Sequence, residues 1–231
     1  MPLSRSLFVV AASAACVSAL AAPALAPARP AAACGSSGYA YAGMTASRRA
    51  YGIGATLASV TSPQVASGHV AAWVGVGGVG MGPRGTNEWL QVGFSSFPGS
   101  RSLSLYYEVA RPNAAPHYYE LESGLAPGIA RKVAVLELRD RPNWWRVVVD
   151  GKAVSDPINL PASHGAWSPT ATTESWGAGT FVCNRFWFRF ASVSVASAPG
   201  RWSGLGATYP FSDHGYRVVR KTASSFLAGA N

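Results

Sequence analysis

Residues 68–94 read GHVAAWVGVGGVGMGPRGTNEWLQVGF, two alternating apolar runs joined by a glycine-rich connection. In the second run Glu88, Leu90, Val92 and Phe94 fall on one face of a strand, so Trp89, Gln91 and Gly93 point to the other. In the first run Val70, Ala72, Val74 and Val76 share a face, and Ala71, Trp73 and Gly75 lie opposite. An uncharged amide beside a tryptophan solubilises a surface poorly. Gln91 therefore suits a groove better than bulk water.

The same alternation continues outward from this pair. Upstream, YGIGATLASVT (51–61) reads as a first strand. Downstream, SLSLYYEVA puts Leu103, Leu105, Tyr107 and Val109 inward and Tyr106 and Glu108 outward. HYYELE, KVAVLEL and NWWRVVVDG follow as short strands, and Asp150-Gly151 marks a hairpin. Glu174 shares a face with Thr172 and Trp176, and the phase change between Phe186, Phe188, Phe190 and Val193, Val195 predicts a bulge near Ala191. Ten to twelve short strands with regular turns and no helical periodicity give an all-β fold, an antiparallel β-sandwich of jelly-roll type.

Arg5 precedes an apolar, Ala-rich run from Leu7 to Leu25, the order of a secretory signal, so residues 1–26 are expected to be removed on export. Residues 27–49, rich in Ala, Pro and Gly, read as a linker or propeptide. A β-sandwich domain is expected over 50–197, with 198–231 as a C-terminal extension packed on it. A secreted, extracellular monomer with no membrane attachment after export is the expectation.

Sixteen arginines and three lysines stand against ten acids, but they are scattered. A scattered positive charge reads as a basic surface rather than a nucleic-acid stripe. Once Cys16 leaves with the signal, Cys34 and Cys183 form an even pair in an oxidising compartment, for which a disulfide is expected. The four histidines are far apart, so neither a metal site nor a cofactor is indicated.

If the second faces of these strands come together, Trp73, Trp89, Gln91, Tyr106, Glu108, Glu174 and Trp176 line one concave surface. The competing reading is cross-strand aromatic pairing with incidental polar neighbours. A carboxylate, a primary amide and aromatic walls supply the parts for acyl transfer to water: Glu174 as general base and then acid, Gln91 as donor to the oxyanion. A lectin-like module would use the same aromatics to stack on glycan. Glycoside hydrolysis, with Glu108 and Glu174 as its carboxylates, ranks below both, and no Gly-x-Ser-x-Gly elbow supports serine chemistry.

AWVGVGG (72–78), WLQVGF (89–94) and LYYEVARP (105–112) resemble successive blocks of the glutamic peptidases, or eqolisins, over roughly residues 50–197. The resemblance implies a concanavalin A-like jelly roll and a secreted acid endopeptidase acting on polypeptide. On it, Gln91 and Glu174 match the catalytic dyad, and Trp73 and Glu108 match groove residues.

Overall fold

Period-two burial in the strands builds two sheets over one core. The computed structural model describes residues 34–231. Its strands are β1 (Tyr39–Ala46), β2 (Gly52–Ser59), β3 (His69–Gly78), β4 (Glu88–Ser96), β5 (Leu103–Ala110), β6 (His117–Leu125), β7 (Ala130–Leu138) and β8 (Arg141–Val149). They continue with β9 (Lys152–Ala153), β10 (Ile158–Asn159), β11 (Thr170–Trp176), β12 (Phe186–Ala198), β13 (Arg201–Gly204), β14 (Thr208–Ser212), β15 (Arg217–Thr222) and β16 (Ser225–Ala230). All the pairings are antiparallel. The first sheet runs β14-β1-β11-β3-β4-β5-β6, the second β10-β8-β7-β2-β12-β16-β15, with β9 on β8 and β13 on β12. The fold is the all-β sandwich that the alternation predicts.

Val70, Ala72, Val74 and Val76 of β3 and Leu90, Val92 and Phe94 of β4 are buried in the core, as are Leu103, Leu105 and Val109 of β5. The second sheet supplies Ile53, Leu57, Val133, Val135, Trp145 and the Phe186, Phe188, Phe190 row. Phe190 stacks on Phe226 at 4.5 Å between centroids. Each such ring adds roughly 1.5–3 kcal/mol by leaving water. The register of β12 shifts between Ala191 and Ser194, where Ser192 has a positive φ of 52°, and this bulge returns Val193 and Val195 to the core. Asp150 and Gly151, both at positive φ, close the β8–β9 hairpin.

Two expectations are corrected. Residues 27–49 are not a linker throughout, because Tyr39–Ala46 is a full strand between β11 and β14. Its core face is Ala40, Ala42, Met44 and Ala46, residues small or unbranched enough to read as low-complexity sequence although they pack as a strand. The sandwich also does not stop at 197. β14 joins the first sheet, and β15 and β16 join the second, so the C-terminal segment completes both. Cys34 and Cys183 form a disulfide with Cα atoms 5.2 Å apart, tying the segment before β1 to the entry of β12. The signal-like residues 1–26 lie outside the described residues.

Candidate active site

The face of the first sheet turned away from the core forms a cleft of about 540 Å3. Strand register arranges its side chains in rows. Tyr41, Glu174, Ala71 and Ser95 stand side by side across β1, β11, β3 and β4. The next row is Thr172, Trp73, Gly93 and Tyr106, and the one after is Thr170, Gly75, Gln91 and Glu108. Glu174 and Gln91 therefore flank β3 from opposite sides, one row removed on either side of Trp73. On that middle row Gly93 contributes no side chain, and none fits: a Cβ there would lie 1.9 Å from the Ala72 carbonyl oxygen. Gly77, at φ +81°, plays the same part at the end of β3, where a Cβ would lie 2.2 Å from the Glu88 carbonyl oxygen. Small residues thus make the floor and aromatic residues the walls.

Glu174 is 8% exposed. Its Oε1 accepts from His69 Nε2 at 2.8 Å and its Oε2 from Trp73 Nε1 at 3.2 Å. Gln91 is buried to the same degree, and its Nε2 donates to the Tyr106 hydroxyl at 3.2 Å. Burial holds Tyr106 well above its ordinary range, with the charges of Glu174 and Glu108 adding to the effect, so this phenol stays protonated. Tyr106 thereby joins the two polar groups: it touches Gln91 and lies within the field of Glu174. Tyr41 is likewise raised, by burial first and then by Glu174.

Glu108 accepts from Trp89 Nε1 at 2.9 Å. Burial pushes its carboxyl above the usual carboxylate range; the Trp89 hydrogen bond opposes this, the Glu174 charge reinforces it and His69 opposes it. The cleft thus holds two carboxylates in unlike settings, one clamped by two donors and one pressed toward its neutral form. Among the described residues no three His, Cys, Asp or Glu side chains gather as a metal site.

Three comparisons bear on this geometry. No family model matches the sequence, and no curated protein matches it. Solved structures do. A scytalido-glutamic peptidase with a peptide-based transition-state analog superposes with a TM-score of 0.59 at 14% identity, over 85% of this chain and 100% of the other. The same peptidase with a transition-state analog inhibitor gives 0.57 at 14% identity, over 84% and 98%. SCP-B, a member of the eqolisin family in complex with the tripeptide Ala-Ile-His, gives 0.51 at 12% identity, over 85% and 100%. The chain has the eqolisin fold.

On the eqolisin fold of this chain, six of the seven residues read from alternation, Trp73, Trp89, Gln91, Tyr106, Glu108 and Glu174, line the one cleft. Trp176 does not. It sits two residues beyond Glu174, opposite Tyr39 and His69 at the strand ends, and stacks on Tyr39 at 5.9 Å. Tyr39, Tyr41, His69, Phe97 and Tyr118 also line the cleft and were not read from the sequence. His69 had a visible signal, since it shares parity with Ala71 and Trp73 on β3. Tyr39 and Tyr41 had none, because their strand was read as a linker.

Proposed function

We propose that this chain is an exported acid endopeptidase of the glutamic type, hydrolysing peptide bonds in unfolded polypeptide with Glu174 and Gln91 as its dyad. The observation that carries the reading is the placement of Glu174 and Gln91 in one cleft on either side of a floor of small residues, with Tyr106 in contact with one and in the field of the other. The shared fold with peptidases solved around transition-state analogs supports it. The paired cysteines and the signal-like N-terminus support export.

In the proposed reaction an extended peptide lies along the cleft. Ionised Glu174 takes a proton from a water molecule as its oxygen attacks the scissile carbonyl carbon. Negative charge gathers on the carbonyl oxygen, and the Gln91 amide N–H donates to it. Glu174 then delivers the same proton to the departing amine nitrogen, the C–N bond breaks, and the carboxylate is restored. A single carboxyl must be both base and acid within one turnover, which favours an acidic medium.

The test is cleavage of a denatured protein substrate between about pH 2 and 7, the span in which a carboxyl titrates. Gln91→Ala is expected to lower turnover by about 10²–10³, the usual cost of one lost oxyanion donor. Glu174→Gln, which cannot exchange the proton, is expected to fall to background while remaining folded. A folded wild-type protein that cleaves nothing in this range, and binds glycan whether or not residue 174 is Glu, would replace the peptidase reading with a lectin-like one.

A further inference from the structure

His69 and Trp73 stand on the same face of β3, two residues to either side of Ala71, the cross-strand partner of Glu174. The Glu174 side chain lies beside the small Ala71, with a donor ahead of it and a donor behind it along β3. Each donor takes a different oxygen, Nε2 of His69 on Oε1 and Nε1 of Trp73 on Oε2. A carboxylate held at both oxygens has lost the freedom to rotate about its last torsion, so the lone pairs left over point in one fixed direction.

The imidazole is itself held. Trp176, Phe97 and Tyr39 surround it at ring-centroid distances of 5.4, 6.1 and 6.3 Å. This explains the position of Trp176, which lies outside the cleft yet packs against the residue that touches Glu174. The clamp also works in either protonation state of the ring: the neutral Nε2–H tautomer and the imidazolium both donate from Nε2.

We propose that His69 is a positioning residue for Glu174, fixing the carboxylate so that its free lone pair addresses the attacking water, with the Trp176, Phe97 and Tyr39 rings as its support. The inference rests on the reading of Glu174 as the base. It adds a residue 105 positions away in sequence to the machinery of that reaction.

The experiment uses the full exported chain in three variants, His69→Ala, His69→Gln and Glu174→Ala, each checked for folding by thermal melt. A small misplacement of a reacting group costs about 10²-fold, so His69→Ala is expected to lower kcat by roughly 10–100-fold with a smaller change in KM. His69→Gln places an amide N–H near the position of Nε2 and is expected to recover most of the loss. In parallel, 15N-edited NMR of the wild-type histidines should show a protected His69 Nε2–H resonance that disappears in Glu174→Ala, which removes both acceptor oxygens.

If folded His69→Ala cleaves as fast as wild type, or if His69→Gln is no better than His69→Ala, the assignment is overturned. A Glu174-independent ring resonance overturns it as well. A wild-type protein that cleaves nothing but shows the Glu174-dependent resonance fails differently: the contact stands, and the peptidase reading, with the catalytic consequence drawn from it, falls.

Discussion

Among the described residues two Glu–His pairs form, one on the first sheet and one between the second sheet and a loop beside it, and they differ in what else the carboxylate meets. Glu174 touches His69 at 2.8 Å and Trp73 at 3.2 Å, and it lines a cleft. Glu137 touches His164 Nδ1 at 3.0 Å and also accepts the backbone N–H of Asn143 at 2.6 Å. Its side chain is wholly buried, whereas that of Glu174 keeps 10% of its surface open. Asn143 takes a positive φ of 67° and in turn accepts the backbone N–H of His164 at 2.8 Å. Glu137 is thus the centre of a lock that holds the start of β8 to the loop after β10. The residue types are the same, and access to the cleft separates the framework carboxylate from the one proposed as the base.

The comparison makes its largest demand on the two carboxylates themselves. Glu174→Gln should remove cleavage and leave the melting temperature near wild type, since an amide fills the same space. Glu137→Gln should do the reverse, keeping activity while lowering stability by about 1–3 kcal/mol, the cost of disturbing a buried hydrogen-bond centre. Denaturant melts beside initial rates decide it. If both variants lose activity and neither loses stability, the division between cleft and framework is wrong.

The disulfide belongs to the framework side. Reducing it, or replacing Cys34 and Cys183 by Ala, should cost about 2–5 kcal/mol and leave the cleavage rate of the folded protein unchanged at low temperature. Thiol titration of the native and the denatured protein should find no free thiol at either position before reduction. Two reactive thiols in unreduced protein would contradict the bridge.

A third carboxylate sharpens the contrast by having no hydrogen-bond partner among the described residues. Both oxygens of Glu88 are buried without a hydrogen bond, and burial raises its pKa from 4.5 to about 7. The sign follows from proton counting. Between about pH 4.5 and 7 the unfolded chain releases the Glu88 proton while the folded chain keeps it, so stability falls as pH rises. At about 1.4 kcal/mol per unit, the loss across that window is about 3 kcal/mol. Glu88→Gln should flatten the pH dependence of stability by about that amount. Melts at pH 4 and pH 8 check it, and an unchanged pH dependence would show that Glu88 reaches solvent or a partner as an anion.

Much of this arrangement was legible in the sequence where the alternation is strict. β3, β4 and β5 mix Val, Leu and Phe with polar or aromatic residues in clean period two, so one residue of parity decides which side chains enter the core and which enter the cleft. The bulge in β12 was legible as a break in phase, and Glu88 was placed on the core face by the same rule. β1 was not legible, because Ala40, Ala42 and Ala46 carry little strand preference and follow a Pro- and Ala-rich stretch. With β1 went Tyr39 and Tyr41. The His69–Glu174 contact was hidden for a different reason. Parity places a histidine on a face but does not say which strand is its neighbour, and β3 pairs with β11 across 105 residues of sequence. Trp176 has the right face but lies at the strand end, which alternation does not report.

The central claim is that Gln91 and Glu174 act as one unit, and a double-mutant cycle tests it most directly. Purified Gln91→Ala, Glu174→Asp, which keeps a displaced carboxyl and a measurable residual rate, and the double variant would be assayed with one unfolded substrate at one acidic pH, with folding verified for each. Groups that serve the same transition state are strongly non-additive, so the double variant should be about as slow as the slower single variant. Losses that multiply, with the double variant slower by the product of the two single effects, would contradict a shared site.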